Sequence, residues 1–294
     1  MPTAGTITAA DFSNFEPKLI AEAQYTYQHE TLMPQLDRNE QLTEHMGRTW
    51  NQPRHGTVTA TALTEGVPLA VGQIPTQQNT AITPGEAGAE VIITKVALAS
   101  GRDNYMKQMG VVLADSIKLK VDRDGFTRFA DYTTIGTAAV ALTAGHVTAA
   151  VSRVRAANAS TAGPPRGPFW LVHRYETISL LLSNISAPTG TYPIPSGLSQ
   201  ELIEQYYMHD QKLFSLQGGF ASGNLTRDAS DDPVGAVFSK NATIFVEADP
   251  MGVESDYDPE LRGWVMVGVT RYAYGTDVTS WGCGMTFDAA DRIA

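Results

Sequence analysis

The chain has 294 residues, 43% of them apolar and 18% charged, with 21 basic against 31 acidic side chains and a formal net charge of −10. That length suffices for one large domain or two ordinary ones with a substantial core, and the single cysteine, Cys283, excludes a disulfide framework or a thiolate metal cluster. The acidity argues against tight nucleic-acid binding, which depends on clustered Lys and Arg to displace counterions.

Charged residues make up about 25% of a typical soluble domain, so the deficit here is filled by neutral polar side chains, with 31 threonines and 26 glycines. Such a surface is desolvated more cheaply than one covered with Lys and Glu, which predicts large subunit interfaces. Met1 to Ala10 has neither a basic n-region nor an apolar h-region, so no targeting segment is expected. Apolar runs such as Val91 to Ile93 fall far short of the roughly 20 residues of a membrane span. A soluble protein made in a cytosol is expected, without membrane contact.

The first element is a helix. Ser13 and Glu16 have capping-box spacing, and Phe15, Leu19, Ala23 and Tyr27 form an apolar stripe that ends near Pro34. One stripe cannot fold alone: it docks on its own domain or lies as an arm on a neighbouring subunit. Residues 54 to 94 read as a long two-stranded excursion. Thr57 to Thr64 and Val67 to Val71 alternate, Glu90 to Thr94 is β-rich, and Pro75, Gln77 to Thr80 and Pro84-Gly85 are turn or loop signals. An isolated hairpin is marginal in water, so this ribbon needs a surface, its own or another subunit's.

Ser100 to Asp103 then starts a long helix with Met106, Met109, Leu113 and Ile117 at steps of three or four; Gly125 interrupts the pattern, although Phe126 and Phe129 keep its phase. Next comes a helix capped by Thr143, with Val147, Val151 and Val154 on one face. A buried-type strand at Phe169 to Val172, a helix from His173 to Ser183 and another near Ser199 to His209 follow. This alternation marks a compact α/β unit. The last third is β-rich around a strongly acidic loop.

Catalytic motifs are absent: no Walker loop, G-x-G-x-x-G, H-E-x-x-H or G-x-S-x-G occurs. Asp256, Asp258 and Glu260 in the acidic loop are the best candidate cation ligands, since hard cations need converging oxygens; a solvated loop is the plainer reading. No cofactor is implied.

The order of parts is informative. Ala60 to Val67, Ile82-Thr83-Pro84, Gly88 to Thr94, the helix through Leu113-Ala114-Asp115 to Gly125, Leu142 to Val147, Tyr192 to Leu198 and Gly235 to Lys240 together resemble the major capsid proteins of tailed bacteriophages, with the Hong Kong 97 phage capsid fold. The resemblance implies an α+β chain with four parts. Residues 1 to 52 would be an N-terminal arm and 53 to 93 an extended loop. Residues 94 to 141 with 245 to 294 would be a peripheral domain holding a spine helix, and 142 to 244 an axial domain.

What the resemblance implies for function is a structural subunit without enzymatic activity. It would assemble in the host bacterial cytoplasm as hexamers and pentamers, into an icosahedral shell around double-stranded DNA in the virion. Expected partners are further copies of itself, a portal and a decoration protein; curvature is set by a separate scaffolding protein, or the sequence of the chain suffices. The expected intersubunit contacts are Phe15, Leu19 and Tyr27 in the arm and Arg54, Leu63, Glu65, Val67 and Leu69 in the loop. Glu65 either pairs with a basic residue across the interface or stays solvated. No Lys occurs between Lys18 and Lys95, so the isopeptide lock of some relatives is not expected, and the chain leaves no room for a scaffolding segment before the arm. Two other readings remain: an encapsulin-like cellular compartment, and a monomeric α+β hydrolase with a site around His173, Glu176 and His209.

Overall fold

In the computed structural model, residues 6–7, 31–43, 47–54, 60, 62–63, 65–66, 78–100, 105–137, 140–157, 163–186, 216–225, 227 and 232–288 are described. Ser13, Phe15, Leu19 and Tyr27, and the expected helix near 199–209, lie outside them.

The first sheet has five strands. β1 (Thr6–Ile7) pairs in parallel with one edge of β5 (Gly85–Thr94), followed across the sheet by β11 (Gly263–Thr276), β10 (Thr243–Asp258) and β2 (Arg38–Gln41). The long antiparallel hairpin β10–β11 runs from Thr243↔Thr276 to Asp258↔Gly263, with register shifts between Glu247 and Gly252. Two helices follow β5 in the chain: α2 (Lys95–Ser100) and the spine helix α3 (Tyr105–Phe126). At 22 residues α3 is about 33 Å long. Its Leu113 and Ile117, at the expected spacing, are buried, and Leu113 joins Ile93, Ala97 and Met266 in one core cluster.

Gly125 does not stop α3. A Cβ at this position would meet Met33 Cβ and Cγ at 2.9 Å and the Tyr274 ring at 3.1 Å, so the missing side chain lets another segment approach the helix. That segment is the single turn α1 (Met33–Leu36), whose Met33 and Leu36 are buried against Phe126, Phe129 and Tyr274.

The second five-stranded sheet has the order β6 (Thr133–Ile135), β12 (Gly282–Thr286), β9 (Val234–Ser239), β7 (Phe169–His173), β8 (Gly218–Ala221). Helix α4 (Ala144–Ala156) packs on it through Val147, Val151 and Val154, as its apolar face predicts. It begins at the expected cap, where Thr143 Oγ1 accepts the His146 N–H and the His146 side chain answers the Thr143 N–H. Helix α5 (Tyr175–Ser186) starts two residues later than the pattern suggests, because His173 completes β7. β6 and β12 lie outside 142–244 in sequence, yet their strands complete this sheet. A continuous cluster from Val172, Ala236 and Phe238 through Phe129 and Tyr132 to Phe245, Tyr272 and Tyr274 joins the two sheets.

Candidate intersubunit surfaces

The ribbon that leaves this body is built differently from the sequence expectation. Its paired stem is β3 (Trp50–Arg54) against β4 (Gln78–Ile82), from Trp50↔Ile82 to Arg54↔Gln78. The polar Gln78-Asn79-Thr80 run, a loop by composition, is strand, paired with Gln52, Pro53 and Arg54. Ala60, Ala62 and Leu63, expected in a strand, are not in one. Gly85–Thr94 lies in the first sheet, where β11 pairs with it from Tyr272↔Gly85 to Gly263↔Thr94. The excursion therefore spans residues 50–82.

Beyond this stem Leu63 is 75% exposed, and Glu65 and Gly66 form an exposed turn with Gly66 at φ +81°. A leucine this open is not part of a core of its own chain. Arg54 is the last residue of β3, while Val67 and Leu69 lie outside the described residues. A 630 Å³ cleft opens where the ribbon joins the body, between Thr80, Ile82, Lys120, Arg128 and Tyr272. Its cations are engaged internally: Lys120 Nζ donates to both Asp124 oxygens at 2.9 and 3.2 Å, and Arg128 lies 3.6 Å from Asp131.

The acidic segment is not a loop. Asp249 to Asp258 is the outer half of β10, exposed on both faces, whereas the inner residues Thr243 to Val246 are buried. β2 pairs only with Ile244 to Glu247, so the outer half has one free edge among the described residues. Pleating places Glu254, Asp256 and Asp258 on the face shared with Val267, Val265 and Gly263 of β11 and with Glu90, Ile92 and Thr94 of β5. Glu86, Arg271 and Asp249 continue that face. The opposite face, through Gly268 and Met266, packs under α3. One side of this sheet is thus a valine stripe bordered by carboxylates.

The cation reading fails on the same geometry. Asp256 Oδ1 accepts the Tyr257 N–H, and Asp258 Oδ1 accepts the N–H of Glu260 at 2.8 Å and of Leu261 at 3.4 Å. These oxygens serve a strand end and a turn, and no group of three metal-type ligands converges among the described residues.

The hydrolase reading loses its geometry too. His173 is fully buried, its Nδ1 accepts the Arg174 N–H at 2.9 Å, and burial pushes its pKa down to about 4. Glu176 is held by Arg174 at 3.0 Å and by Arg227 at 3.2 Å. Burial pushes its pKa up, but its own backbone N–H and the two guanidinium groups more than reverse this. His209 lies outside the described residues.

No family model matches the sequence, and no curated protein does. Solved structures do. The chain is similar to a protein in the capsid of cyanophage P-SCSP1u, with 14% identity, 89% of both chains covered and a TM-score of 0.66. It is also similar to one in the head of Helicobacter pylori bacteriophage KHP40 (10% identity, 96% of this chain and 99% of that one, TM-score 0.66). A third is from the capsid of a native GTA particle (10% identity, 93% and 99% covered, TM-score 0.66). At such identities it is backbone architecture that is shared, over nearly the whole of each chain, so this chain has the α+β fold of tailed-phage major capsid proteins.

Proposed function

We propose that the chain is the major capsid protein of a tailed bacteriophage, assembling as hexamers and pentamers into an icosahedral shell around double-stranded DNA. The likeness to capsid structures over almost the full length carries the reading. The surfaces support it: a ribbon carrying an exposed leucine, a strand with a free edge, and a valine stripe left open each gain burial when copies meet. No helix among the described residues is long and apolar enough to cross a membrane.

In such a shell the chain before residue 31 forms the arm, the ribbon reaches a neighbouring subunit, and Arg54, Leu63, Glu65, Val67 and Leu69 contact it, with Phe15, Leu19 and Tyr27 doing so from the arm. A scaffolding protein, a portal and a decoration protein are its partners, and packaged DNA is held without sequence-specific contacts. The virion is its destination and the bacterial cytoplasm its place of assembly.

The test is expression with and without the neighbouring genes, followed by electron microscopy and analysis of the contents. Closed shells that take up double-stranded DNA through a portal support the reading. Shells that enclose a protein cargo instead indicate a cellular compartment, and uniform shells from this chain alone remove the scaffold.

A further inference from the structure

Asp37, the residue after α1, is 1% exposed, and neither of its carboxyl oxygens has a hydrogen-bond partner. Asp122 on α3 is also fully buried, but its Oδ1 accepts the backbone N–H of Leu32 at 2.9 Å and of Met33 at 3.0 Å. The two phenols facing Asp37 are Tyr132, whose hydroxyl is bonded to Thr243, and Tyr274, whose hydroxyl is buried without a partner. Both phenols are pushed up by burial and then by Asp37; Asp131 adds to this at Tyr132, and Asp122, Tyr272 and Asp124 add to it at Tyr274. Among the described residues, every ionisable group acting on Asp37 and these phenols is an acid or another phenol.

A buried carboxylate with no donor, and a second carboxylate acting on it, is far costlier than the neutral acid. Burial first, and the charge on Asp122 second, hold Asp37 well above the ordinary carboxyl range. Asp122 is the better anion of the two, because two backbone N–H groups already point at it.

We propose that Asp37 is kept protonated in the core beside an ionised Asp122, and that its neutrality lets residues 31–37 stay packed against α3 and β11. Loss of the proton sets two charges against each other inside the core. The segment carrying Met33 and Leu36 then leaves its seat against Phe126 and Tyr274, and the chain before residue 31 loses its attachment at that point. Because the folded-state affinity of Asp37 for its proton exceeds the unfolded one, its stabilisation is complete at acid pH. It is lost as pH rises through the folded-state value. The device belongs to the single chain and does not rest on the shell reading.

An infrared titration of the full-length chain from about pH 4 to about pH 9, with urea denaturation at each pH, tests it. The wild type should show a protonated-carboxyl C=O band that survives above about pH 5, where ordinary carboxyls have lost their protons. Asp37→Asn should lack that band. The denaturation midpoint of the wild type should fall relative to that of Asp37→Asn as pH rises from about 4, the ordinary carboxyl value, and level off where the band fades. Taking the difference between the two proteins cancels the contribution of His173. A wild type without the band, a band retained in Asp37→Asn, or a midpoint difference that does not change with pH overturns the proposal. Should Asp37→Asn not fold, 13C-aspartate labelling of the wild type decides the matter, since a band that labelling does not shift belongs to no aspartate.

Discussion

Gly235 on β9 sits where a side chain has no room: a Cβ there would lie 2.3 Å from Cδ2 of His173 and 2.6 Å from the Val172 carbonyl oxygen. Gly235→Ala should therefore destabilise the fold by about 1–3 kcal/mol, against the usual gain from removing a strand glycine, as measured by chemical denaturation. The ring that fills this space sets a second expectation. His173 binds its proton less readily folded than unfolded, so its stabilisation is complete above about pH 6.5. It is lost as pH falls towards about 4, a loss of roughly 3 kcal/mol. Replacing it, as in His173→Gln, should flatten that part of the stability profile even where the variant is less stable at neutral pH. A profile unchanged between pH 4 and 6.5 would show that the imidazole is reached by water.

Among the elements, the ribbon and the body respond differently to change. Leu63 touches little in the single chain, so Leu63→Asp should leave the denaturation midpoint of the subunit within about 0.5 kcal/mol of the wild type. Assembly yield, followed by sedimentation, should fall several-fold. Replacing residues 55–77 by a short turn should likewise preserve both sheets, with a wild-type circular dichroism spectrum, while preventing closure of a shell. A deletion carried on to residue 91 would remove most of β5 and with it the pairing partner of β11.

Legibility in the sequence followed burial. The spine helix was plain because Leu113, Ile117 and Val121 face a core at regular steps, and α4 because its cap and its valines agree. The stem of the ribbon and the outer half of β10 carried no such pattern. The outer half of β10 is exposed on both sides and places no demand on side-chain alternation, and the stem meets a core only at one end, through Trp50 and Ile82, so polar and acidic runs there read as loops. Whether the helix continued through Gly125 stayed open for a related reason, since what this glycine accommodates is Met33, some ninety positions away in sequence. The same distance hid Asp37 and Asp122, which only the tertiary fold brings together.

For the whole molecule, the features that gain burial from neighbours lie outside the shared core. Two sheets share one aromatic core, and from this body extend a ribbon, a free strand edge and a valine stripe bordered by Glu86, Glu90, Glu254 and Asp256. The acidic border repels polyphosphate, which fits a wall that must not adhere to packaged DNA if that face turns inward, and a basic partner if it turns outward. Either arrangement needs many copies. The central claim is therefore tested most directly by the mass of the purified full-length protein, expressed together with its neighbouring genes, in multi-angle light scattering. The account predicts closed particles on the order of a hundred subunits or more. A single species near the 31.7 kDa of one chain under all assembly conditions would contradict it.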